Sequence, residues 1–330
     1  MIPSPSESEM MTLLVEEIKT LGLMGAKRVI PLPLIHQLRD AKRKWTRRGL
    51  NDANADAIPL SQIEFEAALR KLGVQRGRDL LIHSSMSRIG PVQGGARTVI
   101  QALQAVAGPD ATLVMPTYPM PATMAQWMRS PDPFHVEDSP SRMGILTEIF
   151  RKTPGALRSA HPSHSIAALG PNAAAYTADH HRAATPCGTG SPFLVHTERG
   201  GDILCIGTGV GKITSYHIVE DHLADFPLPV YLDQRMGKHV IFPDGRREWI
   251  EILVGNARLS PWRVDNFKPK EIEFLTHLRS YGICREGMIG RATSHLIDAA
   301  RLRAMMAELA GQGITIYHRP KFERLSNLLA

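Results

Sequence analysis

The chain has 330 residues and a mass of 36.4 kDa, enough for one large α/β domain or for a domain with an appendage. Hydrophobic residues make up 43% and charged residues 22%, which excludes wholesale disorder, and no apolar run approaches the ~18 residues that span a bilayer. A formal charge of +7 favours anionic over cationic partners, and three scattered cysteines without a Cys-x-x-Cys exclude a disulfide framework and a zinc knuckle. Those thiols predict a reducing cytoplasm, and Glu7 and Glu9 stand where a signal peptide would be positive.

Residues 1–60 read as a helical, basic appendage to a catalytic body at 61–330. Met11, Leu14, Val15 and Ile18 recur at helical spacing, which suits a homodimer contact and a cover for the body's own surface equally. Between Arg39 and Arg48 six basic residues surround Trp45. Without a recognisable reading module, that run predicts a solvated face and no specific nucleic acid. Ser61 with Glu64 three residues on is a capping box, opening a helix to about Leu72.

The run 79–83 (Asp-Leu-Leu-Ile-His) reads as a buried strand, 84–95 as a loop, 96–106 as a helix and 112–115 as a strand ended by Pro116. Strand, helix, strand at this spacing predicts a right-handed crossover and a parallel pair. A strand at 202–207 precedes a glycine-rich turn and a helix starting near Thr214. Beyond Val230 the pattern predicts a hairpin around Pro243-Asp244-Gly245, helices near 270–279 and 294–310, and a last strand-like run at 314–317. The fold expected is a three-layer α/β sandwich with a mixed, partly parallel sheet and a C-terminal α+β portion.

Chemistry concentrates in three places. The loop from Ser84 to Ala96 follows a strand's carboxyl end and enters a helix N-terminus, where free N–H groups favour phosphate. Ser84, Ser85 and Ser87 add hydroxyls, and Gly94 and Gly95 allow close approach to the backbone. The segment Gly207-Thr208-Gly209-Val210-Gly211-Lys212-Ile213 is a near miss for a Walker loop. It lacks the first glycine and has Ile213 where a hydroxyl should stand, so a closely packed turn is expected instead. In His217-Ile218-Val219-Glu220-Asp221-His222, a helix puts His217, Glu220 and Asp221 on one face and turns His222 away. That spacing argues against a zinc site and for a carboxylate orienting an imidazole. Finally, Pro162 keeps Arg158-Ser159-Ala160-His161-Pro162-Ser163-His164-Ser165 in a loop that enters a strand at 165–169, with room for His164 to face a cleft. No Gly-x-Ser-x-Gly elbow accompanies it, which argues against a serine hydrolase.

Six short motifs occur in order: Leu-Ile-His-Ser-Ser-Met-Ser, Gly-Gly-Ala-x-Thr-Val, Leu-Val-Met-Pro-Thr, Arg-Ser-x-His-Pro-Ser-His-Ser, Cys-Gly-Thr-Gly-Ser-Pro and Thr-Ser-Tyr-His-Ile-Val-Glu. Over residues 61–309 this set resembles the aminoglycoside 3-N-acetyltransferase family, acetyl-CoA-dependent enzymes outside the GNAT group. The resemblance implies a CoA thioester (acetyl-CoA or another acyl-CoA) held by the 84–96 loop, with Ser84, Ser85, Ser87, Ile89, Val92, Gly94, Gly95 and Ala96 as contacts. It implies His164 as general base, Glu220 as the carboxylate polarising a catalytic imidazole, and His217 as a supporting or rival base. Thr214 and Ser215 would contact CoA or the tetrahedral oxyanion, and transfer would be direct, without an acyl-cysteine and without a metal. The small-molecule amine acceptor is either an aminoglycoside or another amine such as an amino sugar or a biosynthetic intermediate. Asp132, Glu137, Asp138 and Glu148, after Pro131, are candidate acceptor-facing acids, because a polycation calls for acidic residues, and Tyr118 is a further candidate contact. A catalytically silent CoA-fold scaffold is the alternative outside enzymology, and the joint presence of His164, Glu220 and the glycine loop argues against it.

Overall fold

The structure, a computed structural model, describes residues 57–121 and 123–318. Most of the expected appendage, with the apolar positions near Met11 and the basic run at 39–48, lies outside the described residues.

The first helix, α1 (Gln62–Leu72), starts at the capping box read from the sequence. The Ser61 hydroxyl accepts the Glu64 N–H and the Glu64 carboxylate accepts the Ser61 N–H. Gly73, at φ 101°, closes the helix in the left-handed conformation, and Phe65, Leu69 and Leu72 form its buried face. Strand β1 (Leu80–Ser84) leads through a one-turn helix, α2 (Met86–Ile89), to α3 (Ala96–Ala107), and β2 (Leu113–Pro116) follows. Strands β1 and β2 are parallel, the crossover expected from their spacing.

The chain continues through α4 (Met124–Arg129), β3 (Phe134–His135), α5 (Ile145–Phe150), β4 (Leu157–Arg158) and β5 (Ile166–Leu169). It then forms α6 (Ala173–Thr177), α7 (Pro192–Glu198), β6 (Asp202–Ile206), a 3-10 turn at Thr214–His217 and α8 (Ile218–His222). The hairpin is longer than its turn residues suggested, β7 (Tyr231–Ile241) and β8 (Arg247–Gly255). Helix α9 (Lys268–Ser280), β9 (Cys284–Ile289), β10 (Ala292–Asp298) and α10 (Ala299–Gly311) complete the order.

Seven strands form one mixed sheet in the order β4-β5-β2-β1-β6-β10-β9, whose central three are parallel. Alternation along those strands divides the core into two layers. Leu81, Val114, Ile203 and Cys205 pack with Phe193 of α7, Phe274 of α9 and Leu302, Met305 and Met306 of α10. Leu80, Ile82, Met115, Leu204 and Ile206 face the other way, onto Phe65 and Leu69 of α1, Val99 and Leu103 of α3 and Phe150 of α5. Each fully buried side chain of this kind stabilises the fold by roughly 1.5–3 kcal/mol, and helices on both faces explain why the central strands read as continuous apolar runs. The hairpin is an insertion between β6 and β9. It pairs with β3 in a second, three-stranded sheet around Phe134, Val240, Ile252 and Trp127.

Two local expectations change, and one strand appears for which none was stated. The segment expected as one helix from 294 to 310 is strand β10 up to Asp298, whose side chain then caps α10 by accepting the Arg301 N–H. The run at 314–317 makes a single antiparallel bridge, Tyr317 with Arg263, and no strand. Strand β9 has a polar sequence, with Arg285, Glu286 and Gly287 in its middle, because it is the sheet's outer edge.

Candidate active site

The parallel strands β1, β2 and β6 end on one side of the sheet, so Ser84, Tyr118 and Thr208 come together there. Strand β5 runs antiparallel to β2, with Ile166 opposite Pro116. Its amino end therefore lies at the same edge and delivers the loop carrying His164. The His164 ring stands 4.5 Å from the Tyr118 ring, and its Nδ1 lies 2.9 Å from the Ser163 hydroxyl. Behind it, His161 Nδ1 accepts the backbone N–H groups of Ser163 and His164, which fixes the loop.

The 3-10 turn before α8 brings His217 to the same place. Its Nδ1 is 2.7 Å from the Glu220 carboxylate one turn on. A carboxylate can only accept, so Nδ1 carries the hydrogen and Nε2 the lone pair. Glu220 therefore orients His217, and among the described residues no carboxylate is bonded to His164. Burial, reinforced by the nearby His217, His180 and Arg263, pushes the His164 imidazole well below its usual range. His164 is thus held neutral and weakly basic. The other two polar residues of the helix point elsewhere. Asp221 accepts the Cys187 N–H and the Tyr231 hydroxyl, and His222 bonds the Cys187 carbonyl.

Two cavities meet at His164, His217 and Arg263. One, of about 350 Å³, is lined also by His83, Ser84, Thr208, Lys212 and Thr214. The other, of about 280 Å³, includes Glu220, Tyr231, Asn256 and Tyr317. A third cavity of about 670 Å³ adjoins the first at Thr208 and is bordered by Ser87, Arg88, Lys268, Arg279 and Arg291. The Tyr118 hydroxyl lies 2.7 Å from the Thr214 hydroxyl at the wall of the first cavity. Ser215 is buried behind that wall.

The expected nucleotide loop divides. Ser84, Ser87 and Arg88 border cavities, whereas Ile89 is buried in the core and Val92 bridges to Leu60. Gly94 and Gly95, at φ 72° and 66°, turn the chain into α3, a backbone that other residues adopt only with strain. Ala96 is the first residue of that helix and is buried. The glycine-rich turn after β6 is packed as expected, for a Cβ on Gly211 would meet the Val264 carbonyl at 2.7 Å and one on Gly209 would overlap Glu271. Asp132 is exposed, and its carbonyl accepts the Lys238 ammonium beside the hairpin. Glu148 is engaged by Arg151 and Lys152. Neither acid borders the two cavities that meet at His217. The bidentate pair Arg263–Asp265 had no motif to announce it, since it is brought to the site by tertiary packing alone, and the exposed Lys212 comes from the glycine-rich turn after β6.

An oriented imidazole where two cavities join is the layout of a two-substrate group-transfer enzyme. The profile of the aminoglycoside 3-N-acetyltransferase family matches residues 81–310, and the chain belongs to that family of acyltransferases. Aminoglycoside N(3)-acetyltransferase III of Serratia marcescens is 33% identical over 258 residues, covering 71% of this chain and 90% of the relative. Among solved structures, AAC-IIIb in binary complex with CoASH is similar at 30% identity, with a TM-score of 0.67 over 79% of this chain and all of that one. A histidine-to-alanine mutant of AAC(3)-IVa in complex with a gentamicin is similar at 25% identity, with a TM-score of 0.65 over 80% of this chain and 93% of that one.

Proposed function

We propose that this chain moves the acetyl group of acetyl-CoA directly to an amino group of an aminoglycoside or related amino sugar, with His217 as general base and Glu220 orienting it. The observation that carries the reading is the His217–Glu220 pair at the junction of two cavities, one for each substrate. His217 takes the part the resemblance gave first to His164, because the carboxylate stands at His217 and burial weakens His164 as a base. The structural neighbours solved with CoASH and with a gentamicin support the two substrate classes.

In this mechanism the acceptor amine attacks the thioester carbonyl while His217 Nε2 takes its proton. The C–N bond forms, the C–S bond breaks, and the imidazolium returns the proton to the departing thiolate, releasing CoASH and an amide. Either hydroxyl of the Tyr118–Thr214 pair can donate to the other, which leaves the second hydrogen for the tetrahedral oxyanion. Ser84 and Thr208 line the thioester cavity, and the basic border formed by Arg88 and Lys268 suits the phosphates of CoA. Direct transfer agrees with the thiols. Cys187 and Cys205 are buried, and burial pushes Cys205 and Cys284 up to about 12, so none is poised as a nucleophile. Three free cysteines and a CoA thioester donor fit a cytoplasmic setting.

The test is free-thiol release from acetyl-CoA in the presence and absence of kanamycin-type aminoglycosides and simple amino sugars. Release that depends on the amine and disappears in His217→Ala is the expected result. Absence of acetyl-CoA binding would overturn the reading.

A further inference from the structure

We infer that Arg263 is a catalytic residue whose Nη1 group donates to the thioester carbonyl oxygen as the amine attacks and that oxygen becomes an oxyanion; this rests on the acetyl-transfer reading above. Attack requires the amine in one cavity to reach the carbonyl in the other, so the reacting carbon must stand where the two cavities join. Among the described residues, three border both cavities, His164, His217 and Arg263. His217 is placed to take the proton, and burial holds His164 neutral. Arg263 is the permanent cation of the three.

Its fork is divided between anchoring and the cavity. Nε and Nη2 donate to the two Asp265 oxygens at 2.6 and 2.9 Å, which fixes the plane of the guanidinium. Nη1 has no acceptor among the described residues, and Arg263 pairs there with no carboxylate except Asp265. Burial works against the charge, but the Asp265 bonds outweigh burial and hold the guanidinium above its ordinary range. The backbone is fastened too, since Arg263 bridges to Tyr317 and its carbonyl accepts the N–H groups of Asn266 and Phe267 at 2.8 and 2.9 Å. The Lys212 ammonium lies 3.9 Å from the same Asp265 carboxylate, so the three side chains together stay positive.

No proton moves to or from the guanidinium in this step. As the C–N bond forms, the carbonyl π pair shifts to oxygen and His217 Nε2 takes the amine proton. The pair returns as the C–S bond breaks, and the imidazolium protonates the thiolate. The negative charge exists only between those two events, so a fixed cation beside it lowers the barrier without tightening the ground state. The Tyr118–Thr214 hydroxyls, on the wall of the first cavity, supply a neutral donor to the same oxygen. Asp265 touches no reacting atom in this scheme and is a positioning residue.

The experiment measures kcat and KM for the parent protein and for Arg263→Ala with the aminoglycoside that gives the fastest thiol release, with and without millimolar guanidine hydrochloride. Calorimetry first establishes acetyl-CoA binding to both. The expected result is a fall in kcat of about 10²- to 10³-fold, a KM for acetyl-CoA within about threefold, and a recovery of about tenfold in kcat with guanidine. Rescue is a readout that a merely structural role would not give. If the alanine variant fails to fold, Arg263→Lys decides. One ammonium cannot hold both Asp265 oxygens and the oxyanion, so kcat should still fall by about tenfold or more. An alanine variant with kcat within about threefold of the parent, a loss that guanidine leaves untouched, or a lysine variant with the parent's kcat would each overturn the inference and leave acetyl transfer standing. Failure of the parent protein to bind acetyl-CoA would instead remove the acetyl-transfer reading on which it rests.

Discussion

The carboxylate of Glu220, 3% exposed, lies 2.7 Å from the Nδ1 of His217 at the point where two cavities meet. One helical turn separates the pair in sequence, so the geometry is set locally and needs no long-range contact. If the carboxylate both fixes the tautomer and stabilises the imidazolium, Glu220→Gln should retain the fold and lose turnover. The expected fall in kcat is roughly ten- to a hundredfold, within the range by which a general base contributes. Glu220→Asp, which keeps the charge, should recover part of the lost kcat, and a Glu220→Gln variant with the parent's kcat would show that Glu220 does not act through the base.

His164 and His217 border the same two cavities, yet their surroundings separate their roles. His217→Ala should lose about 10²- to 10⁴-fold in kcat with acetyl-CoA binding retained. His164 is held neutral by burial, so His164→Asn should leave the acidic limb in place and cost less than about tenfold in kcat. Single-turnover rates measured for both variants across pH decide between the two imidazoles. A loss of the titrating limb in His164→Asn would transfer the base to His164.

Much of this arrangement was legible in sequence because it is local. The capping box at Ser61, the crossover of β1 and β2 and the His217–Glu220 spacing each depend on a few residues in one segment. What periodicity could not show was the partner supplied by a distant segment. Residues 294–298 look helical from the helix that follows them, but they pair with β6, and Leu296 and Ile297 complete the core on opposite faces of the sheet. The acids after Pro131 were plausible acceptor contacts by charge alone, and only packing shows Glu148 tied to Arg151 and Lys152. The position of His164 beside Tyr118 likewise comes from a distant segment, with ring centroids 4.5 Å apart.

The hydroxyls of Tyr118 and Thr214, joined at 2.7 Å, link the end of β2 to the turn that carries His217. Tyr118→Phe removes the bond and keeps the ring against His164. The expected stability loss is about 1 kcal/mol, typical of one hydrogen bond within a folded protein. If the pair also donates to the oxyanion, kcat should fall by more than KM changes, by roughly ten- to a hundredfold. A variant with unchanged kcat and only a lowered melting temperature would assign the pair to structure alone.

Glu148 gives a stability prediction independent of catalysis. Burial acts to raise its carboxyl, but hydrogen bonds from Arg151 and Lys152 and from the Ser141 N–H outweigh burial and hold it down at about 2. Because the folded value lies below the unfolded one, the stabilisation is fully present above the ordinary carboxylate range and fades as pH falls toward 2. Glu148→Gln should therefore cost about 1–2 kcal/mol at pH 7, after allowance for the partly solvated pairs. The gap between variant and parent should narrow steadily below about pH 4.5. Urea titrations of the two proteins at pH 7, 5 and 3.5 measure it directly. A difference that stayed constant over that range would mean that the loss comes from side-chain packing around α5, with the ion pairs to Arg151 and Lys152 contributing nothing to the fold.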